Sequence, residues 1–430
     1  MNSSHIYRPL WMVFIFWMIT LPVGAREAGA PYQSDALQFS FYGKTLHASS
    51  LKPVEVKSVS QFDVTKAWNE YKKGDVAPVL ASLRSLSSEM GLNDWFVFQL
   101  VRHYADALLQ DGTPRDRVTL EHFLLVNLGY DVRLARTERQ LLLLVPFEQE
   151  VYEHGFVNAD GKDYYLFFDD LECDQNEKSV IHPCDPSLEI LGKGQTLNLL
   201  FENQPLKLRS GEDKSCELDD GKIRLECSVN EGVMDMLRNY PMMDLRCYVT
   251  SVVLPQFLHS ILEQMKPQIE DMTQCEAANA LLHFVQYVFD YENDLETHGR
   301  EKVNFIEENF YYDKNDCDDR SILYAFLVRS LLELDVQIVQ YPGHECTAVH
   351  FTDCLTYGNG YYVDGEFYLI CDPSFVGATI GRCMPKYRTL QPNVYAMKTV
   401  TAGAAYQSPL QPSIDDMITV PELPKILVSL

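Results

Sequence analysis

The chain has 430 residues, 46% hydrophobic and 23% charged, so it can build two or three domains with proper cores and is not a disordered polymer. Its formal net charge of -25 repels phosphate backbones and anionic headgroups, which argues against nucleic acid as a partner and fits a surface kept acidic for solubility. It carries no phosphate-cradling glycine loop followed by lysine, no dinucleotide fingerprint and no calcium-loop pattern, so no cofactor is expected.

In chain order, Arg8, an apolar run from Leu10 to Leu21 broken by Thr20, and then Val23, Gly24 and Ala25 read as a signal peptide over 1–25. The expected mature chain is exported, periplasmic or extracellular. The run falls short of the ~20 residues that span a bilayer, and an uncleaved anchor stays open as the alternative. No later run reaches membrane length, so no membrane span is expected after signal removal. Residues 35–172 predict a smaller N-terminal α+β domain. A strand lies near Leu37 to Leu46, and a helical stretch covers 64–109 with Trp95, Phe98, Val101, Ala105 and Leu108 on one face. Another helix runs from Pro114 to near Gly129, followed by strands at 141–145 and 164–168.

Residues 173–239 are turn-rich and predict a β-rich bridging insert. There Cys216 and Cys227 bracket an Asp219-Asp220-Gly221 turn, and Cys173 and Cys184 bracket a polar loop; both pairs are candidate disulfides. The total of 11 cysteines is odd, which leaves at least one thiol without a partner in the chain. Residues 240–390 form the second α+β domain. Its helices are expected at 273–290, with Ala277, Leu281, Phe284, Val285 and Val288 on one face, and at 317–334. Its strands are expected at 344–351 and 366–371, and residues 391–430 read as an extended tail.

The two α+β regions repeat each other at a spacing of 203 residues: Asp116-Arg117 and Phe123-Leu124 match Asp319-Arg320 and Phe326-Leu327. Tyr165-Leu166 matches Tyr368-Leu369, and Asp169 matches Asp372; Asp160-Gly161 foreshadows Asp364-Gly365 with one residue slipped. On that spacing the first copy has Pro114 for Cys317 and Leu141 for His344, and is chemically degenerate.

A thiol acting near neutral pH needs a lowered pKa, a base within reach and a group that fixes the base. Cys317 opens a helix, where backbone N–H groups favour a thiolate and can stabilise an oxyanion, although Asp318 and Asp319 oppose that charge. His344 and His350 are the candidate bases. Six residues apart on one strand, they lie about 20 Å from each other and cannot serve one sulfur. Antiparallel pairing with a constant index sum of 716 sets His344 beside Asp372 and His350 opposite Glu366, which selects His344.

These residues resemble the transglutaminase-like superfamily: Cys317-Asp318-Asp319-Arg320-Ser321 opens a helix, Gly343-His344-Glu345 begins a strand, and Cys371-Asp372-Pro373-Ser374 closes the next. The helix ending at Phe289-Asp290-Tyr291 resembles the one before the nucleophile in that family. The likeness covers residues 240–390. Asp316 stands where the family often has Gly, and Cys346 near where it often has Trp. The resemblance implies a papain-like domain and thioester chemistry on a peptide or protein substrate, with Cys317, His344 and Asp372 as the catalytic triad. Water as acceptor gives a peptidase or amidase, the preferred reading; an amine gives cross-linking. An inactive binding or scaffold protein is the main alternative. A metal centre from His344, Cys346, His350 and Cys354 matches no standard zinc spacing, so none is expected.

Overall fold

The computed structural model describes residues 36–167, 180–184, 186, 194–201, 205–312, 314–353 and 357–397. The segment 1–25, Asp169, Cys173, Cys354 and the tail beyond 397 lie outside the described residues, and so do the expectations placed on them. The architecture is mixed α/β, 37% helix and 24% strand, with sheets curled into half-barrels. Among the described residues, no helix is long and apolar enough to cross a membrane.

Strands β1 (Ala36–Phe41) and β2 (Lys44–Ser49) form a hairpin. The helical stretch read over 64–109 resolves into three helices: α1 (Gln61–Lys73), α2 (Val76–Met90) and α3 (Asp94–Leu108). Apolar periodicity runs on across the breaks, but Gly74 and Gly91 end the first two. Gly91 is left-handed (φ 64°), and a Cβ there would meet the Pro205 carbonyl oxygen at 2.3 Å. α4 (Pro114–Leu128) starts with proline, whose missing N–H costs nothing at a helix head. Ahead of it, the Thr113 amide and hydroxyl both donate to the Asp116 carboxylate at 2.7 Å.

β3 (Arg133–Arg136), β4 (Leu141–Pro146), β5 (Phe156–Ala159), β6 (Lys162–Phe167) and β7 (His182–Pro183) form an antiparallel sheet in the order β5-β6-β4-β3-β7. The bridging region is only partly β. β8 (Asp213–Asp219) and β9 (Arg224–Asn230) pair as expected, closed by a Cys216–Cys227 disulfide, but helix α5 (Glu231–Leu237) follows directly. Its Val233, Met234, Met236 and Leu237 are buried, so tertiary packing sets the conformation of a segment too short to show a period.

α6 (Leu245–Thr250), α7 (Pro255–Ile269) and α8 (Gln274–Val288) lead into the second half. α8 carries a Thr273–Glu276 capping box. β10 (Asp290–Tyr291) pairs in parallel with β11 (Lys314–Asn315); α9 (Asp294–Thr297) and α10 (Ile306–Asn309) lie between them in sequence. α11 (Cys317–Leu332) then packs on a second five-stranded antiparallel sheet. Its strands are β12 (Val336–Tyr341), β13 (His344–His350), β14 (Gly360–Val363), β15 (Glu366–Cys371) and β16 (Asn393–Ala396), in the order β14-β15-β13-β12-β16. β16 falls in the region expected to be an extended tail.

Side-chain alternation gives this sheet two buried faces. Val336, Ile338, Val349, Leu369 and Cys371 join the main core with the apolar residues of α11. Val339, Tyr341, Cys346, Ala348 and Ile370 pack on the other side with Cys383 and Tyr387.

The two large sheets repeat one strand register. A constant shift of 204 residues turns Leu134↔Leu143 into Ile338↔Thr347, Leu144↔Leu166 into Ala348↔Ile370, and Val157↔Tyr164 into Tyr361↔Tyr368. The left-handed residues that follow the two helices, Gly129 and Glu333, fit the same shift, as do the turns Asp160-Gly161 and Asp364-Gly365. The spacing of 203 read from matching residues is therefore one short along the sheets. An odd shift would exchange the two faces of every strand, which the packing forbids.

Candidate active site

Asp316 precedes α11 in an extended conformation without a side-chain cap, and Cys317 is the first helical residue. Its thiol is half-buried and reduced. Cys317 Sγ donates to Glu345 Oε2 at 3.2 Å. Burial, and then the carboxylates of Glu345, Asp318 and Asp316, push the thiol pKa well up, although the Glu345 backbone amide offsets a little of this. The expected help from the helix head is thus outweighed by burial first and then by three acidic neighbours.

His344 opens β13 after the two-residue turn Pro342-Gly343, in which Gly343 takes φ 67°, a conformation that suits glycine. The imidazole is buried, and its Nε2 meets Asp372 Oδ2 at 2.9 Å. With Nε2–H donating to that carboxylate, Nδ1 carries the lone pair, and it makes no hydrogen bond among the described residues. Tyr387 lies flat on the ring, centroids 4.9 Å apart and planes 1° from parallel.

Asp372 ends β15. Its Oδ1 accepts the N–H groups of Ser374 and Phe375 at 3.1 Å, which leaves Oδ2 for the imidazole. Gln286, buried in α8, staples this loop: its Nε2 donates to the carbonyls of Asp372, Phe375 and Ala378 at 3.0–3.1 Å, and its Oε1 accepts from the Gly377 amide.

The structure therefore brings His344 and Asp372 together but joins Cys317 to the residue after His344. No hydrogen bond links Cys317 to His344. Alternation explains why: Glu345 leaves β13 on the side of Thr347 and Val349, toward α11, whereas His344 leaves on the side of Cys346 and Ala348. The strand register also differs from the expected one. Thr347 pairs with Cys371 and His350 with Tyr368, an index sum of 718 rather than 716. A shift of two residues preserves the face, and the imidazole spans the diagonal to Asp372. His350, the rejected base, lies opposite Tyr368, with Glu366 at 3.4 Å from its Nε2.

Three groups of side chains among the described residues could hold a metal. The ligand atoms of His344, Cys346 and Asp372 lie within 4.8 Å of one another, a mixed set that zinc accepts, and so do those of Asp294, Asp316 and Asp319, and those of Asp316, Cys317 and Asp318. In the second group, burial and the charge of Asp316 raise the Asp294 pKa to about 7, and Asp319 accepts two bonds from Asn304. A cavity of about 380 Å³ lies elsewhere, lined by Arg84, Ser88, Asn93, Asp94, Tyr130 and Asn198; no triad residue borders it.

Glu345, Gln286 and Tyr387 did not stand out in the sequence. Gln286 left one signal, an amide among the apolar residues of α8; Glu345 and Tyr387 owe their roles to neighbours distant in the chain. No protein-family model matches this chain, and no curated protein matches it.

Proposed function

We propose that this chain is an exported, transglutaminase-like cysteine hydrolase with a papain-like C-terminal half, cleaving a peptide or amide bond through Cys317, His344 and Asp372. One observation carries the reading: a buried imidazole is fixed through Nε2 by Asp372, with no hydrogen bond to Nδ1 among the described residues, next to the residue that holds a helix-opening thiol. The Cys216–Cys227 bond supports an oxidising compartment.

In the proposed reaction Cys317 Sγ attacks the carbonyl carbon as its proton passes to His344 Nδ1. The tetrahedral intermediate then expels the amine, which takes that proton, and leaves a thioester. Water, deprotonated by His344, attacks the thioester and releases the carboxylic acid and the thiol. An amine in place of water would yield a cross-link. Asp372 stabilises the imidazolium throughout, and the helix head supplies N–H groups for the oxyanion.

The test is mass-spectrometric detection of new termini in a pool of peptides. Cleavage by wild type that is lost in Cys317→Ala and His344→Ala supports the reading; cleavage that survives either change rejects it. One observation favours the second reading, a catalytically silent binding protein: the thiol donates to a carboxylate rather than to the imidazole. No cleavage by any variant, together with equal and slow labelling of all thiols, would establish that reading instead.

A further inference from the structure

We infer that Glu345 is a positioning residue that keeps the Cys317 thiol protonated and turned away from His344 at rest, and that the C-terminal edge strand β16 holds Glu345 in place. The inference rests on the hydrolase reading and describes how the site is kept silent.

Three consecutive bonds carry it. Cys317 Sγ donates to Glu345 Oε2 at 3.2 Å, Gln340 Nε2 donates to Glu345 Oε1 at 3.0 Å, and the Tyr395 hydroxyl donates to Gln340 Oε1 at 3.3 Å. The ladder enforces this order, because Gln340 pairs with Glu345 on one edge and with Asn393 of β16 on the other. Tyr395 is anchored in turn by the Arg246 guanidinium, 5.3 Å from its ring centroid, and Arg246 is held in a two-pronged bond to Asp244 at 2.8–2.9 Å. A continuous chain thus connects the sulfur to β16 and α6.

The bond has a direction that matters. A carboxylate accepts from a thiol only while the proton is on sulfur; a thiolate in the same place would lose the bond and face a like charge. The other groups around the sulfur reinforce this. Asp316 and Asp318 flank it on the helix head, and Tyr291 approaches from β10 with Arg320 over its ring. No lysine or arginine forms an ion pair with Glu345, Asp316 or Asp318 among the described residues. A protonated, carboxylate-bound sulfur is a poor nucleophile and a poor target for oxidation, which suits a thiol in an oxidising compartment. Activation then consists of breaking the Sγ–Glu345 bond. Because Glu345 and His344 leave β13 on opposite sides, this step requires the start of β13 to shift as well; the proton then moves from sulfur to Nδ1 with no other atom transferred.

The experiment is the pH profile of Cys317 alkylation by iodoacetamide, resolved by peptide mass spectrometry on the full chain. Glu345→Gln removes the charge and should move the profile about one pH unit lower, equivalent to roughly tenfold faster alkylation on its rising limb. Gln340→Ala keeps the charge but frees the carboxylate, and should move it the same way by less. Coincident profiles for wild type and E345Q overturn the inference. Should E345Q fail to fold, a Q340A profile identical to wild type does the same. The hydrolase reading fails differently, through peptide cleavage that survives Cys317→Ala, and these profiles would be unaffected by that result.

Discussion

In the N-terminal half of the sequence, the positions that match Cys317, His344, Glu345 and Asp372 under the 204-residue shift are Thr113, Gln140, Leu141 and Phe168, the last outside the described residues. The pair Arg136↔Leu141 matches Gln340↔Glu345, yet every chemical group at the four positions has been exchanged. Thr113 is the N-cap of α4, its hydroxyl donating to Asp116, whereas α11 begins one residue earlier under the shift, so that the matching residue, Cys317, becomes the first of the helix. Gln140 closes the β3–β4 hairpin by accepting the Thr137 amide at its carbonyl. Leu141 fills core where Glu345 holds a thiol. The comparison shows one strand register used twice, with the thiol, imidazole and carboxyl groups present in the C-terminal half alone at these positions. The pairs first expected, Pro114 with Cys317 and Leu141 with His344, are each one residue out. What the difference teaches is that this sheet tolerates either set: the reactive groups sit at a helix head and at strand ends, where few ladder bonds depend on them.

Exchanging residues between the halves should break this comparison if it is wrong. The largest effect is expected from His344→Gln, which installs the residue found at the N-terminal position. Peptide cleavage should fall by about 10²–10⁴, the usual share of general acid–base catalysis, while Gln140→His leaves cleavage unchanged. Next is Leu143→Ala on the buried face of β4, which should cost about 2–5 kcal/mol in denaturant melts without altering turnover per folded molecule. Replacing Cys216 and Cys227 together by serine opens an 11-residue separation and should cost about 2–3 kcal/mol, read from the same melts under non-reducing conditions.

The smallest effect concerns Glu121 of α4, whose counterpart in α11 is Ala325. Burial raises the Glu121 pKa to about 7, partly offset by Arg102. A carboxyl raised in the folded state stabilises below its unfolded value of about 4.5 and loses that contribution as pH rises through about 7. Melting temperature should therefore decline between pH 5 and pH 8. Glu121→Gln should flatten part of that decline; Glu307 and Asp294, both also raised to about 7, should account for more of it. An unchanged slope in E121Q would place Glu121 outside this account.

Much of the site could be read from residue order alone. Helix-opening Cys317, strand-opening His344 and strand-closing Asp372 are local features, and His344–Asp372 pairing needs only that two neighbouring strands run antiparallel. The exact register was out of reach because the long connection between β13 and β15 sets no count; parity survived since a two-residue slip restores the same face. What could not be read is whatever depends on which side of β13 meets α11. That choice gives the thiol to Glu345, and it is made by the packing of Val349 and Thr347 against the helix rather than by any motif. β16 was missed for a similar reason: four residues with weak periodicity become a strand only because β12 offers an open edge. α5 owes its helix to burial rather than to propensity.

The central claim is that Cys317 forms an acyl intermediate with the help of His344. Intact-mass and peptide-level mass spectrometry after brief exposure to an activated peptide ester tests it most directly. The account expects a single acyl group on Cys317 in wild type, hydrolysed on standing, and little or none in His344→Ala. Acylation of Cys317 at the same rate in both proteins, or acyl groups spread evenly over Cys247, Cys317 and Cys383, would contradict it.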